Sequence, residues 1–329
     1  MFRLCSKFQI GSYSFKGGVN EVKIKRHVRE IMDTATITLP ALSRIKRDDT
    51  NLPQSSSETA RLFREGDKVS IALGYNDELH QEFLGFVRRV NFGTPVTLEL
   101  EGYGWQLRNK NILQSWKTTT LRLVLEEVVK GTDIKLSEHI PDVKLEKLYI
   151  TNSNGLEVLE YLKKKLLLTV YFNFDVLYAG IEQGDIKGTA KYKLGWNVVK
   201  DDQLKYRLAE DTKVLVRVKR KLKKGEQLLY QVGDKDGSVH TITPPNVTEA
   251  DAKRIGDQAL KEAKYTGYEG KITGFLQPYC EPGFSSEIVD LKYNERGGLF
   301  FTKGTEVTFG MRGARRIVEI GSRLDGRLN

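Results

Sequence analysis

The sequence predicts a mainly β protein with an α+β insert: strands, then a helix-bearing stretch, then strands again with one long helix. Three observations predict it. Apolar and polar residues alternate through most of the first hundred positions. An apolar stripe at helical spacing begins after Thr120, and alternation returns from about residue 188. At roughly 150 residues per domain, 329 residues suggest about two domains, or three small ones.

The first region reads as strands at 2–10, 19–28, 34–39, 68–74, 80–92 and 95–103. In the second of these Val22, Ile24 and Arg26 share one face, and Glu21, Lys23 and Lys25 share the other. Pro40 stops the third. Residues 43–65 lack period 2 and read as a long loop with a short helical turn at 57–64. Gly85, inside Phe83-Leu84-Gly85-Phe86-Val87, predicts a bulge or a bend at a barrel corner. Six such strands ending in Gly and Pro suggest a small sandwich or barrel.

The pattern changes at Trp116. Leu121, Val124, Leu125, Val128 and Val129 form a helical stripe, with a Thr cap before it and Gly131 as its stop. A second helix is expected over 153–165, capped by Ser153 or Asn154 and buried through Leu156, Leu159, Leu162 and Leu166. Residues 168–174 and 176–181 read as a hairpin. Trp105 and Trp116 flank the junction with the first region, where packing is the expected role.

In the last region strands are expected at 206–208, 212–222, 227–232 and 238–242. Thr248 and Asp251 have capping-box spacing and start a helix to about Tyr265. Its small residues Ala252, Gly256, Ala259 and Ala263 would let it lie close on a sheet. Strands at 267–276, 286–292, 298–302 and 304–320 follow.

The chemistry is notable for what is missing. The sequence lacks G-x-S-x-G, a P-loop, H-E-x-x-H and a dinucleotide-binding glycine pattern. Cys5 and Cys280 cannot form a disulfide framework or, alone, a zinc site, and the four histidines are scattered. Adjacent carboxylates such as Asp201 and Asp202 point to opposite faces of a strand and do not suit glycosidase chemistry. Asp234-Lys235-Asp236-Gly237 reads as a hairpin turn. No apolar run is long enough to cross a bilayer, and basic residues break up the N-terminus, so a cleaved leader is not expected. No catalytic residue, cofactor or metal is assigned.

Net charge is +10 and the pI is about 9.3. That permits nucleic acid, acidic lipid or an acidic protein as partner without choosing among them. The densest basic feature is the run from Lys213 to Lys224. Val214, Val216, Val218 and Leu222 can face a core while Lys213, Arg217, Lys219 and Lys221 line the other face. One reading is a solvated strand whose like charges discourage edge-to-edge pairing. The other is a surface for an acidic partner or DNA, although the run lacks the aromatics of a stacking platform.

One ordered series of segments is familiar. Val96-Thr-Leu-Glu-Leu-Glu-Gly-Tyr-Gly-Trp105 is followed by Arg108-Asn109, Ser115-Trp116 and Thr120-Leu-Arg-Leu-Val-Leu125. This series resembles the late control D family of contractile phage tails, the baseplate hub proteins, related in fold to the VgrG base of type VI secretion. Phe83–Val87, Asn154–Leu162, the helix at 251–263, and Pro278 with Glu281-Pro282-Gly283 extend the likeness over roughly residues 1–324.

The resemblance implies two related β-barrel tube domains, 1–111 and 182–329, flanking a small α+β domain at 112–181. It implies a homotrimer whose six barrels join a sixfold tail tube to a threefold spike, working as a structural protein and not as an enzyme. Expected partners are two further copies, the tail tube protein, a spike protein and the tape-measure protein. DNA would pass only in transit through the lumen, with no membrane anchor. With no extension after Asn329, the spike is expected to be a separate chain. The expected location is the virion tail or a tail-like particle, assembled in the bacterial cytoplasm. Lys213, Arg217, Lys219 and Lys221 are then candidates for a lumen or interface face. The competing readings are a basic nucleic-acid-binding β-barrel protein and a cell-wall hydrolase or other tail enzyme.

Overall fold

The computed structural model describes residues 3–43, 46–47, 57–166, 168–222, 225–243 and 249–324. The first region holds β1 (Leu4–Ile10), β2 (Tyr13–Phe15), β3 (Glu21–His27), β4 (Thr34–Leu39), β5 (Lys68–Tyr75), β6 (Glu78–Asn91) and β7 (Val96–Gly102). The insert holds β8 (Asn111–Thr120), α1 (Leu121–Val129), β9 (Lys144–Asn154), α2 (Gly155–Leu166), β10 (Thr169–Asn173) and β11 (Val176–Gly180). The last region holds β12 (Thr189–Lys193), β13 (Val198–Arg207), β14 (Val214–Lys221), β15 (Glu226–Gly233), β16 (Ser238–Ile242), α3 (Glu249–Ala263), β17 (Gly267–Gly274), β18 (Ser285–Val289), β19 (Gly298–Gly310) and β20 (Gly313–Arg323). The chain is mainly β with an α+β insert, as its periodicity predicts.

The two β regions form one hydrogen-bonded sheet. Its order is β13-β17-β20-β19-β3-β4-β7-β6-β5-β1-β2, and β18 joins β19 on one side and β12 on the other. The seam is β19 against β3, antiparallel from Gly304↔His27 to Gly310↔Glu21. Strand β19 serves two cores. Val307 and Phe309 enter the first, with Phe8, Ile10, Ile37, Ile71 and Leu98. Phe300 enters the second, with Tyr192, Tyr268, Ile272, Cys280 and Ile320. Strands β12 and β13 are joined by a short turn, so the path from β13 round to β12 curls six strands about that second core. Val28, Tyr171, Tyr178 and Phe301 close a small apolar cluster where the two β regions and the insert meet.

The sequence reads 304–320 as one strand and 298–302 as another. The structure has one strand, β19, across both, then a hairpin. Gly310 pairs with Gly313, leaving Met311 and Arg312 at the tip, and Met311 is 86% exposed. The buried set switches from odd positions (Val307, Phe309) to even ones (Ala314, Arg316, Val318) across the tip, as a two-residue loop requires, and reading 304–320 as one strand overlooks that switch. Gly313 at φ +103° is the local signal, because that backbone suits glycine.

Gly85 is not a bulge. A Cβ there would stand 2.1 Å from the Glu101 carbonyl oxygen, so it marks close backbone approach. The bulges flank it. Register slips between Ile71↔Phe83 and Ala72↔Gln81, leaving Glu82 unpaired, and again beside Arg88. In the 43–65 stretch the described residues show a 3-10 turn at Thr59–Arg61 and a short pairing of Leu42–Ser43 with Ser57–Glu58.

In the insert, Thr120 caps α1 by accepting from the Leu123 amide at 3.4 Å. Asn154 and Glu157 exchange side-chain-to-backbone bonds of 3.0 and 2.8 Å at the start of α2, a reciprocal capping box. The β8–β9 ribbon is absent from the sequence reading. A bulge after Ile112 and positive φ at Lys147 and Asn152 break its alternation.

Helix α3 does not lie on the large sheet. It packs on a separate sheet of order β15-β14-β16, over Val214, Val216 and Val218. A Cβ at Gly256 would stand 2.6 Å from the Tyr230 ring, so glycine permits the close contact. The capping residue Thr248 lies outside the described residues.

Candidate functional site

Strand β14 carries the basic run. It is the central strand of its sheet, antiparallel to β15 and parallel to β16. Alternation sends its valines under α3 and its cations the other way. Each described cation of the face finds a local acceptor. Lys213 pairs with Asp236 in the β15–β16 turn. Arg217 Nε donates to Gln231 Oε1 at 3.1 Å. Lys219 Nζ meets Glu226 Oε2 at 3.0 Å. Lys221 ends the strand and its side chain lies outside the described residues. The contact holds Lys213 above and Asp236 below their ordinary pKa values. These pairs face water and add little stability, but they offset the charge of the run.

The two most heavily built polar sites lie where the chain's parts meet. Arg26 continues the inward register of Val22 and Ile24 on β3 and is 3% exposed. Its Nε donates to Asp33 Oδ2 at 3.2 Å, Nη1 to Glu281 Oε2 at 3.2 Å, and Nη2 to Asn173 Oδ1 at 2.6 Å. The Phe174 ring lies 4.0 Å from the guanidinium. The Tyr279 hydroxyl donates to Glu281 Oε2 at 3.1 Å. One guanidinium therefore ties the β3–β4 turn, the tip of the insert's β10–β11 hairpin and the segment before β18. Burial pushes the Asp33 carboxyl up to about 6, against the pull of Arg26. Burial works against the charge on Arg26, but Asp33 and Glu281 outweigh it and raise its pKa.

Arg316 on β20 is 1% exposed. Its Nη2 and Nη1 meet the two Glu82 carboxylate oxygens at 2.6 and 3.1 Å. They also donate to the Cys280 carbonyl at 2.6 Å and the Leu276 carbonyl at 3.2 Å. The β6 bulge makes this pair possible, because it buries consecutive Glu82 and Phe83. Here one cation faces one carboxylate.

Sequence reasoning missed both sites as sites. The signal was present for the cations: Arg26 falls on the apolar face of its strand, and Arg316 falls between the buried Ala314 and Val318. Nothing local marks Glu82, Glu281 or Asn173 as their partners.

Trp105 stacks on Phe86 at 5.1 Å, and both Trp105 and Trp116 pack on the insert's core, so they do hold the junction. Trp196 is exposed in the turn after β12. Among the described residues no group of three or more His, Cys, Asp or Glu is placed to hold a metal ion, and no helix is long and apolar enough to cross a membrane.

No family model matches the sequence, and no curated protein matches it. Solved structures do. The tail protein from Neisseria meningitidis MC58 aligns over 98% of this chain and 97% of its own, at 12% identity and TM-score 0.66. The 43 kDa tail protein of prophage MuSo2 from Shewanella oneidensis aligns over 97% and 98%, at 14% identity and TM-score 0.65. A type VI secretion component of E. coli, itself similar to T4 bacteriophage tail proteins gp27 and gp5, aligns over 97% of this chain and 77% of its own, at 10% identity and TM-score 0.59. The chain shares their fold.

Proposed function

We propose that this chain is a structural baseplate hub of a phage tail or tail-like injection particle. In this reading three copies form a pseudo-sixfold ring that joins tail tube to spike. One observation carries it: the fold matches two tail proteins, one of them from a prophage, from end to end, with almost no residues left over on either side. A likeness confined to one barrel would support only a shared module. The double use of β19 and β20, which serve both cores, suits a body that transmits load.

The reading divides the chain into tube domains at 1–111 and 182–329 around an α+β domain at 112–181. It assigns no catalytic residue and no cofactor. Its partners are two further copies, tube, spike and tape-measure proteins, with DNA only in transit, and its place is the particle tail after assembly in the cytoplasm. The face of Lys213, Arg217, Lys219 and Lys221 then meets the lumen or a neighbour. The pairing of Lys213 with Asp236 and of Lys219 with Glu226 offsets part of the charge on which a nucleic-acid-binding reading rests.

Light scattering on the purified chain, with negative-stain images of the same fractions, tests the proposal. A mass of three chains and rings with pseudo-sixfold outline are expected. A strict monomer at high concentration, in which no rings form, would overturn it.

A further inference from the structure

We propose that the Arg26 joint is an acid-responsive clamp: it grips the two β regions and the insert more tightly in mild acid than at neutral pH. The geometry is one guanidinium between two carboxylates, with all three side chains at least nine-tenths buried. A joint with both carboxylates ionised carries one excess buried negative charge, which is costly in a medium of low polarity. The main chain that carries both carboxylates is tied down. The Asp33 carbonyl is held by the Gly102 amide at 2.8 Å, and the Gly283 amide, two residues beyond Glu281, is held by the Thr302 carbonyl at 3.0 Å.

The surroundings do not cancel the charge. From β3, His27 is the nearby titratable group, and it is engaged with Glu319 at 3.6 Å. From the segment before β18, Tyr279 donates to Glu281. From the insert come neutral Asn173 and Phe174, and Tyr171, whose hydroxyl burial keeps protonated well above neutral pH. Beyond Glu281, Lys187 pairs with Asp185 at 3.7 Å. Glu82 is matched by Arg316. Taking up one proton restores a one-to-one balance at Arg26.

The sign follows from Asp33. Its pKa is raised in the fold, so its ionisation opposes folding, fully so above the raised value. The penalty fades as pH falls through about 6 toward the ordinary aspartate value of 3.8. Neutralising Asp33 by mutation therefore removes the full penalty at pH 7.5 and only part of it at pH 5.

The test compares the full chain with Asp33→Asn and Glu281→Gln by thermal unfolding between pH 5 and 8, with hydrogen-exchange protection factors for residues 173–176 and 279–284. The expected result is an Asp33→Asn Tm above the parent's at pH 7.5 by roughly 2–4 °C, a gap that narrows by about half at pH 5. Protection in both segments should rise in the parent as pH falls, and stay level in the variant. A gap that does not change with pH, or a variant less stable than the parent at pH 7.5, would overturn the proposal. Should Asp33→Asn fail to fold, Glu281→Gln decides alone. A protection profile level with pH sustains the clamp, and one that keeps the parent's slope refutes it.

Discussion

Arg26 and Arg316 are the same kind of part used in two ways. Both are buried in inward register on a strand, and both bind a carboxylate from another region. Arg316 has one carboxylate and two carbonyls, so its charge is met by an equal one. Arg26 has two carboxylates and an amide. The first site is a closed ion pair between β6 and β20. The second joins three parts and is over-supplied with negative charge. Burying an ion pair is not in itself stabilising; removing one member is the severe change, because the other is left unpaired.

Replacing the arginines gives the largest expected effects. Arg26→Ala strands two buried carboxylates and should cost about 3–5 kcal/mol at neutral pH, and less in mild acid, where carboxyls can protonate. Denaturant unfolding at pH 7.5 and 5.5 reads both values; equal losses would show that the sites do not differ in charge balance. Arg316→Ala should also cost about 3–5 kcal/mol, with a weaker dependence on pH. The double change Glu82→Leu with Arg316→Met should be milder than Arg316→Ala, since no charge is stranded. A double variant as unstable as the single would mean that packing, and not charge, dominates there.

Smaller effects set the scale. Asn154→Ala removes half of the α2 capping box and should cost about 1 kcal/mol, read as a fall in denaturation midpoint. Lys219→Ala on the basic strand should change stability by no more than about 0.5 kcal/mol, as for other surface pairs. Glu319 offers a contrast in sign. Beside His27, and next to Lys271, its carboxyl is held down to about 2. It therefore supports the fold above the ordinary glutamate value of 4.5, and that support is lost as pH falls from there toward 2. Glu319→Gln should flatten the acid limb below pH 4.5 without altering the neutral limb that Asp33 governs.

Much of the fold is legible where one face of an element is buried and the other is wet. The strands β3, β4, β5 and β7, the capped helices α1 and α2, and the long helix α3 all announce themselves by spacing. Legibility fails at breaks in that spacing. The β8–β9 ribbon carries a bulge and two residues of positive φ, and the tip at Met311 shifts the buried set from odd positions in β19 to even ones in β20. At the buried sites half the information is local. Arg26 and Arg316 stand in apolar register, but the choice of Glu281, 255 residues away, or of Glu82, 234 residues away, is not written near them.

The amino-acid order by itself determined the element types, the sequence of β, α+β and β segments, and the family to which the segments bear resemblance. Those depend on periodicity and capping, which act within a few turns or strand lengths of a residue. Tertiary structure alone decided that the two β regions share one sheet, that β19 serves two cores, that α3 has its own small sheet, and that two arginines lock the parts together. Those depend on which surfaces meet across hundreds of residues, and a buried charge takes its meaning from the opposite charge that long-range packing brings beside it.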